Sequence, residues 1–124
     1  MSHQLAGRVA TWFCVILVIV LSLVPGQDRP RTGLAGHGEH FIAYAGTGMI
    51  AMLSYHRPLW TIVGLSLLSS VLEIFQNFVP GRSPAVLDVL FSSAGGTTGV
   101  GVAVLLSVAV SYGPARKQRR WRDR

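Results

Sequence analysis

Charge is what this sequence has least of. Only 13% of its 124 residues are charged, and just five are acidic. A soluble domain carries about a quarter charged residues. With half the residues hydrophobic, the composition excludes an ordinary water-soluble domain and points to the membrane class. Cysteine is nearly absent too. Cys14 is the only one and sits in an apolar run, which excludes an intramolecular disulfide and a cysteine-based zinc site. Several catalytic signatures are missing. No glycine-rich stretch is followed by a phosphate-loop lysine, and no serine sits in a nucleophile elbow. His37-x-Glu39-His40 lacks the i, i+4 histidine pair of a zincin helix. No metal and no cofactor are expected.

What is abundant is apolar sequence in helix-length runs. A spanning helix needs about 20 mostly apolar residues, and four segments qualify, at about 8–25, 39–56, 58–79 and 84–112. The first carries no charge from Val9 to Gln27. Its length and lack of alternation favour a lipid-embedded helix over a strand. Leu23-Val24-Pro25-Gly26 lacks a small-x-small cleavage pattern, so the helix is expected to stay uncleaved. Pro58 suits a first helical turn, Ser83 and Pro84 read as N-cap and N1, and Gly113-Pro114 reads as a stop. The expectation is an all-α fold: one membrane domain, a polytopic bundle of four transmembrane helices, ending in a basic cytoplasmic tail at 113–124.

Six of the eleven basic residues crowd into that tail: Arg116, Lys117, Arg119, Arg120, Arg122 and Arg124. Such a run can bind nucleic acid, but directly after a long apolar segment it reads as a topology signal. No nucleic-acid partner is expected. With the tail inside, inside segments hold eight basic residues and outside loops three, namely Arg29, Arg31 and Arg82. The asymmetry predicts N-in, C-in.

That topology gathers two polar clusters at one surface. One holds His37, Glu39, His40 and Tyr44; the other holds Glu73, Gln76, Asn77, Arg82 and Asp88. Glu73 lies about 10 Å of helix before Pro80, below the headgroups. An unpaired carboxylate there costs up to about 3 kcal/mol, so it must face the bundle with a partner or be protonated. Asp88 sits near a helix start, where the dipole favours an anion, and Arg82 can reach either carboxylate. Two readings stay open. Glu73, Arg82 and Asp88 form an ion-paired latch, or His40, Tyr44, Glu73, Gln76, Arg82 and Asp88 line a pocket for a polar headgroup. Small residues suggest how the clusters meet. Gly95, Gly96 and Gly99, with Ser92, give helix four small-xxx-small spacing, and helix two offers Ala43, Thr47 and Ala51, plus Gly46 and Gly48. Close packing of helices two and four follows, with Ala103 read as a more tolerant position.

The run Glu73-Ile-Phe-Gln76-Asn-Phe-Val-Pro80-Gly81-Arg82-Ser-Pro-Ala-Val-Leu-Asp88, then Gly95-Gly96-x-x-Gly99, resembles the VanZ-like family, named for a protein associated with teicoplanin resistance. His40-Phe41-Ile-Ala-Tyr44 resembles the family's His-Phe-x-x-Tyr, and Ser22-Leu-Val-Pro25 also fits. The resemblance spans about residues 20 to 101. Gly36 and His37 stand where the family often has Asp-Lys, and Ser92 where it often has Asn. The resemblance implies a multi-pass protein of the bacterial cytoplasmic membrane, tied to the cell envelope and, in the founding case, to glycopeptide susceptibility.

Three functions fit. A non-enzymatic protein would bind an envelope lipid or modulate antibiotic susceptibility through an outer-face pocket. Its partners would be membrane lipids, with a lipid-linked envelope precursor as a candidate. An intramembrane enzyme would act on a lipid headgroup, with Glu73 or Asp88 as base and His40 as acid or orienter. A structural subunit would dock its glycine faces on a larger complex. The first leads because of the resemblance.

Overall fold

The computed structural model describes residues 3–28, 33 and 36–122, with side chains through residue 112. Among these residues the chain is all helical: α1 His3–Leu23, α2 Gly36–Tyr55, α3 Pro58–Gln76 and α4 Val86–Arg122. Arg29, Arg31 and Arg124, used above for the charge asymmetry, lie outside the described residues.

Three stretches have the length and apolar composition to cross a membrane: His3–Leu23, Pro58–Gln76 and Val86–Tyr112. Four spans are expected from the sequence, and α2 is the one that falls short. Its 20 residues could cover about 30 Å, but its first turns read Gly-His-Gly-Glu-His. The packing accounts for that polarity. α2 and α3 each touch the other three helices, and the most extensive contact of the bundle is that of α2 with α4; among the described residues α1 and α4 do not touch. A polar helix is tolerated at membrane depth where protein rather than lipid surrounds it.

Two helix ends differ from the sequence reading. α4 starts at Val86, so Ser83 and Pro84 precede it and are not its cap and first residue. It also runs through Gly113-Pro114 to Arg122, where a stop is expected. A proline inside a helix removes one backbone hydrogen bond, and the Ala, Arg, Lys and Gln that follow are good helix formers. At the α2–α3 corner the turn is tight. His56 takes a positive φ of 55°, and Pro58 opens α3 after Arg57. Pro58 is where the sequence puts it.

α2 and α4 meet backbone to backbone. A Cβ placed on Gly95 would lie 2.2 Å from the Phe41 carbonyl oxygen, and one on Gly99 would lie 1.9 Å from that of Ala45. On Gly48 it would meet the Gly96 oxygen at 2.6 Å. Only glycine fits these places, as the small-residue spacing of α4 predicts. The α2 backbone in these contacts belongs to Phe41, Ala45 and Gly48; of the small residues read from the sequence, Gly48 is in the contact, whereas Ala43 and Thr47 line the space between α1 and α2. Both faces of α2 carry small residues, and spacing alone does not choose between them. Ala103 is also corrected: it is fully buried and packs with Met52 and Val100, inside the contact. A second apolar cluster of Val18, Tyr44, Leu65 and Leu72 ties α1, α2 and α3 together.

α1 is held at both ends. At its start, a Cβ on Gly7 would meet Ser54 Oγ at 2.7 Å, Thr11 Oγ1 donates to Ser54 Oγ at 3.3 Å, and Arg8 lies over the Tyr55 ring. At its other end it meets the α3–α4 turn. Between these points α1 and α2 enclose a cavity.

Candidate functional site

One end of the bundle collects the end of α1, the start of α2, the end of α3 and the start of α4. Local sequence makes this possible. Gly81 adopts φ +72°, a left-handed conformation open to glycine, and so turns the chain after Pro80. The turn then rests on the segment after α1. Gly26 N–H donates to the Pro80 carbonyl at 3.2 Å, and a Cβ on Gly26 would sit 2.1 Å from the Gly81 oxygen. Arg82, next in line, donates from Nε to the Val24 carbonyl at 3.0 Å and from Nη2 to the Leu21 carbonyl at 2.6 Å. Those carbonyls belong to the last turn of α1 and the residue just after it, where helix geometry leaves them without intrahelical donors. Arg82 therefore caps α1.

Glu73 performs the reverse service for α4. Its carboxylate is 9% exposed and accepts the backbone N–H of Ala85, the residue before α4. Alanine cannot cap a helix with its own side chain, and an anion there meets the positive end of the helix dipole. Asp88 faces α2 instead. Its Oδ1 pairs with His37 Nδ1, its Oδ2 lies 3.8 Å from His40 Nε2, and His37 stacks on Phe91 at 5.4 Å between ring centroids. Glu73 and Asp88 serve the two sides of the α4 start, and Arg82 binds the α1 end.

Tyr44 and Gln76 are buried, 1% and 2% exposed, and Tyr44 is hydrogen-bonded to Ser69 of α3. Asn77 does not face this cluster. It is exposed and caps α3, donating from Nδ2 to the Ile74 carbonyl at 3.0 Å.

The cavity between α1 and α2 measures about 420 Å³. Cys14, Leu17, Val18 and Leu21 form one wall, Ile42, Ala43, Thr47 and Ile50 the other, and Glu39, His40 and Arg82 stand at one end. Leu17, Leu21 and Ile42 are about half exposed, so the cavity is a groove open along its flank. Of the six candidate residues, His40, Tyr44 and Arg82 line it, while Glu73, Gln76 and Asp88 do not. His40 is the only one shared between the groove and the Asp88 cluster.

The sequence reading leaves out the backbone partners (Leu21, Val24, Ala85), because main-chain groups carry no residue signature. It also omits His37 from the candidate set. The signal was there: His37 precedes His40 by three residues on one helix face.

A chain that is all helical among its described residues, with three stretches long and apolar enough to cross a membrane and a polar site at one end of its bundle, is a multi-pass membrane protein. The VanZ/LLP1 family model matches residues 8–107, and the chain belongs to that family. No curated protein and no solved structure matches it.

Proposed function

We propose that this VanZ/LLP1 protein holds one hydrocarbon chain of an envelope lipid in the α1–α2 groove, with the headgroup against Arg82, Glu39 and His40. The carrying observation is the groove's polarity: apolar along its walls and charged at one end. An amphipathic ligand has that same profile, and the flank is open at a depth where lipid is the surrounding medium. The volume, about 420 Å³, lies at the lower end of ligand pockets, roughly 300–1,000 Å³, and suits one chain rather than a whole two-chain lipid. Tyr44 lines the groove with Arg82, Glu39 and His40, and the remaining candidates, Glu73, Gln76 and Asp88, shape the site from behind. In this reading the protein sits in the bacterial cytoplasmic membrane with both termini inside, and the charged end of the groove faces out. Occupying or presenting an outer-leaflet lipid is then its route to altered glycopeptide susceptibility.

Gly46 supplies the test. It lines the groove, and a Cβ added there meets nothing within 4 Å, so Gly46→Phe fills the groove without a backbone clash. Native mass spectrometry of the full chain should find lipid retained by the wild type and lost in Gly46→Phe, with teicoplanin susceptibility shifting in the same variant. Equal lipid retention by both would overturn the groove as the site. Loss of a dimer instead of lipid would show that a second copy covers it.

A further inference from the structure

We infer that the groove selects a lipid with an anionic, phosphate-bearing headgroup, and that His40 sets this choice by taking up a proton. The inference rests on the groove reading above and goes further, to headgroup class and control.

Three ionisable side chains stand at the charged end of the groove: Glu39, His40 and Arg82. Glu39 and Arg82 offset one another in formal charge, and Asp88, behind the lining, is shared between His37 and His40. Protonating His40 therefore makes that end one charge more positive than it is with a neutral imidazole. The α1 wall adds no charge, since Cys14, Leu17, Val18, Leu21 and Ser22 form it. The other titratable groups on the lining are the Cys14 thiol of α1 and Tyr44 of α2, which is hydrogen-bonded to Ser69.

The groups behind His40 are arranged to hold the cation. Asp88 Oδ2 is 3.8 Å from His40 Nε2, and Asp88 is only partly exposed. Its other oxygen pairs with His37, which fixes the carboxylate from the far side. Glu73 of α3 is engaged by the Ala85 N–H and is directed to the α4 start. Imidazole changes charge between about pH 5 and 8. The groove end therefore attracts an anionic headgroup at the acid side of that range and loses the attraction as pH rises. Asp88 is a positioning residue in this scheme, and His40 is the group that meets the headgroup.

The test is equilibrium binding to the full chain in detergent at pH 5.5 and 8. The probes are short-chain phosphatidylglycerol, the diacylglycerol with the same chains, and inorganic phosphate. Phosphatidylglycerol should bind about tenfold more tightly at the lower pH, the scale of one hydrogen bond to a charged group, and diacylglycerol equally at both. Inorganic phosphate should compete weakly, since it lacks the chain. His40→Gln should abolish the pH dependence while diacylglycerol binding persists, and His40→Lys should bind phosphatidylglycerol tightly at both pH values. Asp88→Asn should flatten the response. A pH response shared by both lipids, or one that survives His40→Gln, would overturn the inference while leaving the groove standing. Lipid binding unaffected by Gly46→Phe would instead remove the groove itself. His40→Lys restores a cation at the same place, so retained binding in that variant separates lost charge from lost fold.

Discussion

The backbone N–H of Ala85 donates to the carboxylate of Glu73, a side chain from the preceding helix. A buried acid on α3 thereby serves as the cap that the α4 sequence does not supply. The membrane cost of the carboxylate is offset by a helix terminus that needs an anion.

Glu73→Ala should therefore destabilise the protein by about 1–3 kcal/mol, the cost of leaving a buried backbone donor unmade. Giving α4 its own cap with Ala85→Ser should recover part of the loss. Thermal unfolding in detergent of the two single variants and the double variant checks this. Full additivity, with no recovery, would contradict the capping role.

Arg82 should matter for the end of α1 more than for α4. Lysine cannot reproduce the donation from Nε and Nη2 to two carbonyls. Arg82→Lys should thus speed amide exchange across Leu21–Gly26 while exchange in the middle of α4 stays unchanged. Uniform acceleration over the whole chain would argue against a local clamp.

The α2–α4 contact makes a sharp distinction between two glycines about 3 Å of helix apart. Gly99 faces the Ala45 carbonyl, whereas a Cβ on Gly101 meets nothing within 4 Å. Gly99→Leu should collapse the yield of folded protein, and Gly101→Leu should leave it near wild type. Comparable yields for both would refute the close approach. Ala103 cannot serve as the tolerant comparison, because it is buried in the same contact.

Orientation is tested by thiol labelling. In a Cys14→Ser background, a single cysteine at Ser83 should react with an impermeant reagent in intact cells, and one at Gln118 should not. The reverse pattern would invert the proposed N-in, C-in arrangement.

The helices were legible because lipid imposes length and apolarity on each segment, and because proline and glycine punctuate the turns. The meeting of His40 with Asp88 was legible as well, since an even number of antiparallel helices returns them to one end. Less accessible was the choice of partners. Glu73 and Arg82 bond to main-chain groups, and any residue type carries those. The small-residue stripe on α2 was ambiguous for a related reason: Ala43 and Ala45 are chemically alike, and only the packed structure shows that Ala45 meets Gly99 while Ala43 lines the groove. The groove itself depends on α1 and α2 being joined at Gly7 and Ser54 at one end and parted further along, a relation no local pattern encodes.

The polarity of α2 has a consequence for how the chain is built. α1, α2 and α3 are made before α4, yet the glycine-bearing face of α2 is covered by α4. Until then α2 has Gly48 and the His37–His40 turn turned toward lipid or toward the insertion machinery. The cover of α2 thus waits for α4, and a product truncated before Val86 presents an uncovered polar helix of the kind that membrane quality control removes.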